Sequence, residues 1–496
     1  MKKSNCKYQG ILWSCLRVFY CCCCFLVLQA CLRMEFQEQK ENHLKDEEDD
    51  KKQNGETILP DLSVPDKLDW QMIHIAIPLS AIKDPDLVRV RIPVLKYDKK
   101  LAYSYTFDDC VVAAYGKAFC MINRKWVDKE KFYHVGQQRS TGFMPPKSLG
   151  YTDGCGNERR FTFGVAIWPD MENRNIDSFM NPVGREIGKY YPYLVWRDIV
   201  PLLDFGCDIY FHNVNEIKYG NEDVNNLLKG LVACQDTTVK KLGRGMKVLV
   251  RSDGNDLYVD AGRKYEDVVF MCASASPDPD IPFAINLRDD KFDLYKKCQS
   301  RRYTELTPNA EELMAGIEEV HGTSYSWLHD FSHAPNDFQY ILDLFVRIND
   351  TYGKDGDDSI WFASLDEIFE YVNFRKNCEI TKVVSNDSLY VRFECDLSDV
   401  PDKFQYHRDF SVLLSGVDSK NIKIGSGSGV YGLSYAEMEN KDLLININCN
   451  SSLLEKAERY TKLFENDHLG EKKEDALYFI NQLKEEYRIP FLMRCK

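Results

Sequence analysis

The chain of 496 residues predicts an α/β fold, a parallel sheet or barrel, followed by a small β-sandwich and a C-terminal helical segment. Three observations carry this. From Leu68 to about Asn377 short apolar strands alternate with amphipathic helices, the pattern of a parallel sheet whose active site lies at the C-terminal strand ends. Residues 378–450 change to short strands separated by polar turns, which reads as a sandwich. Helical stretches near 452–465 and 473–487 close the chain. A chain of this length exceeds one core, so two or three domains are expected.

The N-terminus reads as an export signal. Lys2 and Lys3 open a basic region ending near Arg17, and an apolar run over 18–28 leads to Leu28-Gln29-Ala30-Cys31. That run is too short to span a bilayer comfortably. The junction resembles a bacterial lipobox, which makes residues 1–30 a lipoprotein signal peptide and Cys31 the lipidated first residue of the mature chain; with Gln29 unusual at its place, a simple cleaved signal or an uncleaved anchor is the alternative. Residues 31–59 are an acidic tether centred on Asp46-Glu47-Glu48-Asp49-Asp50. The stretch is similar to the acidic segment of surface-exposed lipoproteins in some Gram-negative bacteria. The resemblance implies a lipid-anchored protein of the periplasm or cell surface. Eleven cysteines follow Cys31, scattered and without a Cys-x-x-Cys pair, so no zinc-knuckle spacing appears and most are expected to be buried.

Strands are expected at 102–107, 208–211, 247–250, 267–272, 324–331 and 359–363, and helices at 111–119, 195–204, 336–350 and 365–374. In the third helix Phe338, Ile341, Leu342, Phe345 and Ile348 recur at helical spacing, a core-facing stripe. Later strands are expected at 380–384, 389–395, 410–414, 422–424 and 443–447. A formal charge of −13 argues against a nucleic-acid partner, which needs a basic face. Nothing in the chain points to a protein partner.

Polar residues of catalytic type follow four of these strands. The stretch Leu-Ala-Tyr-Ser-Tyr-Thr-Phe-Asp-Asp ends in Asp108 and Asp109, two carboxylates whose repulsion a cation relieves, leaving one as ligand and the other as base. The alternative is a plain turn. After the second strand come His212 and Glu216, which share one face if a helical turn follows His212 and can then reach one metal. Arg251 follows the third strand, placed to orient a carboxylate or to form a salt bridge beside a turn. His333 follows the fourth, and His329 lies within it; a strand-end histidine suits acid–base work, and a structural histidine is the competing reading.

The order Thr-Phe-Asp-Asp, His-x-x-x-Glu, Arg-x-x-Gly and a strand-end His resembles the polysaccharide deacetylases of carbohydrate esterase family 4, over residues 100–375. The resemblance implies a distorted (β/α)7-type barrel at 60–377, which the strand pattern follows with an accessory β-sandwich at 378–450 and C-terminal helices at 451–496. It implies metal-dependent hydrolysis of N- or O-acetyl groups on an acetylated carbohydrate. In that reading Asp108 is the general base, Arg251 steadies it and His333 is the general acid. Asp109, His212 and Glu216 hold a divalent ion, zinc or alternatively cobalt, nickel or manganese. Cys110 stands where the family has Gly, Glu216 where it has a second His or Asp, and Asp253 where it has Pro. These departures admit a second reading, a non-catalytic surface lipoprotein that binds glycan in the same cleft. A Gly-rich turn near Asp153 is either a loop over the pocket or an ordinary one. Trp361 is either a sugar platform or core.

Overall fold

The computed structural model describes residues 62, 68–127, 142–169, 194, 196–278, 281–288, 293–323, 325–333, 338–396 and 404–496. The expected signal peptide, Cys31 and the acidic tether lie outside these residues. The described residues fall in one unit, Pro60–Lys496. None of their helices is long and apolar enough to cross a membrane.

The central element is a curled ten-stranded sheet. From one edge its neighbours run Ile285–Asn286, Ser326–Ser332, Leu101–Phe107, Gly164–Ile167, Asp208–Phe211, Val248–Val250, Phe270–Ala273 and Cys298–Ser300. Arg302–Tyr303 pairs with Ser326–Ser332, and Ile360–Phe362 with Leu101–Phe107. Every pairing is parallel except that of Ile285–Asn286. Buried residues line these strands on both faces, as a parallel sheet covered by helices requires. Phe338, Ile341, Phe345 and Ile348 on the helix Gln339–Thr351 and its N-cap are buried, and Phe345 meets Tyr105 edge-on at 5.2 Å.

The expected strands are present within a few residues of their predicted bounds, except that 422–424 is not a strand and only the two-residue Gly425–Ser426 follows it. Three helices were not anticipated: Val224–Leu242, Leu257–Lys264 and Ala310–His321. The strand Gly164–Ile167 was also missed, and it lies at the centre of the sheet. The C-terminus forms three helices, Ser452–Asp467, Gly470–Ile480 and Glu485–Arg494. Nine of the eleven cysteines are buried.

The region expected as a separate 378–450 module does not stand on its own residues. Two four-stranded antiparallel sheets form there, and each recruits a strand from before the central sheet. His74–Pro78 pairs with Ser388–Cys395, and Arg89–Arg91 with Asp409–Ser415. Phe393 and Phe410 join the two sheets at 5.0 Å. Buried charges tie this region to the central sheet. Lys96 Nζ lies 2.7 Å from Glu367 and 2.8 Å from Asp409. His407 Nε2 lies 2.7 Å from Asp208, which also binds Arg244. The Asp153 turn is an ordinary loop docked on these sheets, with its carboxylate accepting from Ser434 at 2.7 Å.

This interlocking predicts that a chain ending at Asn377 does not fold. It leaves His74–Pro78 and Arg89–Arg91 without ladders and removes the Asp409 and His407 partners of Lys96 and Asp208. A buried charge without its partner costs about 3–5 kcal/mol. Size-exclusion chromatography and circular dichroism of the truncated chain check this; a soluble, monomeric, cooperatively melting product is the contrary result.

Candidate active site

The site is built on Leu101–Phe107, whose seven residues are all buried. Register with Ser326–Ser332 sets Phe107 against Ser332, and Asp108 N–H donates to the Ser332 carbonyl at 2.9 Å. The chain then leaves the sheet sharply: Asp109 and Cys110 both have positive φ, 63° and 54°. That left-handed conformation favours glycine and costs other residues about 1–2 kcal/mol. It accounts for the glycine that the resemblance places at position 110, and Cys110 N–H, donating to the Ala166 carbonyl at 2.8 Å, holds the turn without one.

Asp108 is buried, and Arg301 grips it in a bidentate pair with both contacts at 2.8 Å. Arg301 is buried too, and the carboxylate keeps its guanidinium charged against the pull of burial. This corrects the expectation for Arg251. Arg251 instead pairs with Asp256 at 2.6 Å and donates to Ser274 at 3.3 Å. The Arg-x-x-Gly spacing located an arginine at a strand end, but Arg301, at the end of Cys298–Ser300, is the one that meets Asp108.

His212, at the end of Asp208–Phe211, is buried beneath Trp168, the rings 6.0 Å apart. Its Nδ1 lies 3.2 Å from the Val250 carbonyl and its Nε2 3.2 Å from Asp109 Oδ1. Burial disfavours its charge, but the Asp109 hydrogen bond and the charges of Asp108 and Asp109 outweigh this and raise its pKa. In the neutral tautomer with the proton on Nδ1, the Nε2 lone pair faces the Asp109 carboxylate. Asp109 and His212 therefore fit as two donors to a cation.

Glu216 does not join them. Residues 212–215 are not helical; the short helix Glu216–Tyr219 begins at Glu216 behind an Asn215 cap, so the four-residue helical spacing from His212 never applies. Its carboxylate accepts from Tyr258 Oη at 3.1 Å. Among the described residues no group of three His, Cys, Asp or Glu side chains is disposed to hold a metal.

His333 follows Ser332 directly, across the same ladder from Asp108. Its backbone N–H donates to Glu305 at 2.6 Å and its Nδ1 lies 3.3 Å from the same carboxylate oxygen. Tyr303 meets its ring edge-on at 5.3 Å. Burial opposes its charge, but the Glu305 hydrogen bond and the negative charges of Asp108, Asp109 and Glu305 raise its pKa to about 9. His329, by contrast, is fully buried, bonds Thr106 Oγ1 at 2.7 Å and is held neutral by burial and the nearby Arg301 charge. Of the two histidines, His333 is the one that carries a proton at neutral pH. Trp361 is core, wholly buried with its indole donating to Glu367 at 3.2 Å.

Two outcomes follow from this geometry. Arg301→Met strands the Asp108 carboxylate and should destabilise the fold by about 3–5 kcal/mol. Arg251→Met, which loses an ion pair with an exposed partner, should cost under about 1 kcal/mol; urea denaturation compares them. His333 should titrate at about 9 by NMR, and Glu305→Gln should move the midpoint down. Because the folded pKa lies above the ordinary 6.5, the stability this histidine contributes is complete below that value and is lost as pH rises through about 9.

The sequence model of one family, described as Putative polysaccharide deacetylase, matches residues 129–494. That span takes in His212, Arg301 and His333 and begins after Asp108 and Asp109. No curated protein matches the chain. With three quarters of its length matched, the chain belongs to this polysaccharide deacetylase family.

Proposed function

We propose that the chain hydrolyses an acetyl group from a polysaccharide or oligosaccharide, acting at an N- or O-acetyl position. The observation that carries this reading is the opposition of two groups across one strand ladder: the buried, arginine-clamped Asp108 carboxylate and the protonated His333. Hydrolysis of an acetyl group needs a base to take a proton from water and an acid to protonate the departing amine or alcohol. Asp108 is the base. Arg301 occupies one lone pair on each of its oxygens and fixes its orientation, which leaves the remaining lone pairs to receive the proton. His333 is the acid, kept charged by Glu305. Asp109 and His212 would hold a divalent ion, which when bound supplies Lewis acidity toward the acetyl oxygen. The ion is expected to be zinc or a similar metal.

The absence of a third protein ligand among the described residues favours one alternative, a glycan-binding protein with a reduced deacetylase site. Acetate release separates the two readings. Purified protein supplied with zinc, cobalt, nickel or manganese should liberate acetate from acetylated oligosaccharides. Asp108→Asn should abolish turnover, a loss of at least about 100-fold for a general base, while sugar binding persists. Binding without acetate release under every metal would give the role to the alternative.

The N-terminal sequence supports placing this activity at a membrane surface through a lipid on Cys31. Cys31→Ala should then release the protein from the membrane fraction; unchanged fractionation is the opposing result.

Metal binding has its own check. Asp109→Asn and His212→Ala should each lose a titratable divalent ion by calorimetry, whereas Glu216→Gln should retain it. An ion lost only in the Glu216 variant would reverse the assignment.

A further inference from the structure

The hairpin of Cys378–Ser385 and Ser388–Cys395 begins and ends on cysteine, and its register sets Cys378 directly opposite Cys395. The two-residue turn Asn386-Asp387 closes it at the Ser385–Ser388 pair. In an antiparallel ladder hydrogen-bonded and non-hydrogen-bonded pairs alternate, and the pair closing a two-residue turn is hydrogen-bonded. Cys378 lies seven residues before Ser385, so the Cys378–Cys395 pair is of the non-hydrogen-bonded kind. A second contact agrees. Phe393 N–H donates to the Ile73 carbonyl at 3.4 Å on the other side of its strand, and Cys395, two residues on, shares that orientation. Cα atoms in such a pair stand about 4.5 Å apart, within the roughly 4.4–6.8 Å that a disulfide spans.

Both side chains project to the same face, with Leu389, Val391 and Phe393. Cys395 is buried there, its thiol 3.7 Å from the Phe374 carbonyl, while Cys378 is half-buried with its thiol 3.6 Å from the Glu379 carbonyl. Burial disfavours both thiolates, and the charges beside them, Glu379 near Cys378 and Asp396 near Cys395, are anionic and disfavour them further.

We propose that Cys378 and Cys395 are a disulfide site, a cross-strand bond that staples the end of the helix Leu365–Asn377 to the sheet that follows it. The co-reactant is a small or protein disulfide. One cysteine thiolate attacks it, forms a mixed disulfide and releases one thiolate. The second cysteine then attacks the bound protein sulfur and releases the other. The pair loses two electrons and two protons, and the oxidant leaves as two thiols. Burial pushes the Cys378 thiol up to about 12, so the uncatalysed exchange is slow at neutral pH and the formed bond is sheltered. This inference stands apart from the hydrolytic reading and does not depend on it.

The test uses the full chain equilibrated at pH 8.5 with a mixture of oxidised and reduced glutathione, then denatured, alkylated and digested without reduction. The expected product is a single peptide pair joined through Cys378 and Cys395, two hydrogens lighter than its thiol form. It should be absent from Cys378→Ser and Cys395→Ser. Reduction should free both residues for alkylation together. Full alkylation of both before reduction would overturn the proposal. So would a persistent glutathione adduct, or either cysteine joined elsewhere.

Discussion

Arg301 occupies the single residue between two short strands that have different neighbours. Cys298–Ser300 ladders onto Phe270–Ala273, whereas Arg302–Tyr303 ladders onto Ser326–Ser332. The chain here passes from one side of the curled sheet to the other, and the guanidinium of the crossing residue holds Asp108. One buried ion pair thus serves two ends. It links the strand that carries the candidate base to the segment bridging the sheet, and it fixes that base in one orientation. An ion pair buried this deeply contributes little net stability, because desolvation offsets most of the attraction. Its value is geometric, since either partner alone would be a buried charge without compensation.

The opposite end of the sheet is held in the same currency. Lys96 binds Glu367 and Asp409, and Lys247 binds Glu370. Asp208 meets Arg244, His407 and Ser364 Oγ. These pairs join residues far apart in sequence, so they specify how the later sheets seat against the central one where apolar packing alone would tolerate slippage. Asp208 heads the strand that His212 directly follows, and the docking therefore bears on the position of the site.

Much of this was legible in the sequence, and the failures have physical causes. Short strands of consecutive apolar residues declared themselves through composition, and the helix stripe from Phe338 to Ile348 declared itself through period. The helix Val224–Leu242 carried a readable signal that went unused: Asp223 caps its first turn and Gly243 ends it at φ 67°. Gly164–Ile167 is four residues long and has no alternation to mark it. Asp108, Asp109, His212 and His333 stood out as candidates because each lies within two residues of a strand end. Glu216 was misassigned because helical spacing was applied to residues that are not helical. Arg301 escaped because its strand is three residues long and its role depends on a carboxylate 193 positions away. The Tyr303 and Glu305 contacts to His333 depend likewise on the fold. The boundary at 378 failed because strands earlier in the chain complete the later sheets, which no local pattern reveals.

The strand Leu101–Phe107 has three partners instead of two. Ser326–Ser332 pairs along its whole length, Ile360–Phe362 along its first three residues and Gly164–Ile167 with its last two. It is therefore laddered along the whole of one flank and, apart from Ser104 and Tyr105, along the other, and nearly everything around it must separate before it can open. In hydrogen exchange such an element reports the global unfolding free energy, while turns and short helices nearby exchange through smaller openings. Asp108 and Asp109 follow directly on this strand, Asp108 tied to its neighbour through the Ser332 carbonyl, whereas Glu216 sits on a one-turn helix. The candidate base is thereby rooted at the end of the element that should open last, while the loops and short helices around it stand on elements that should open sooner.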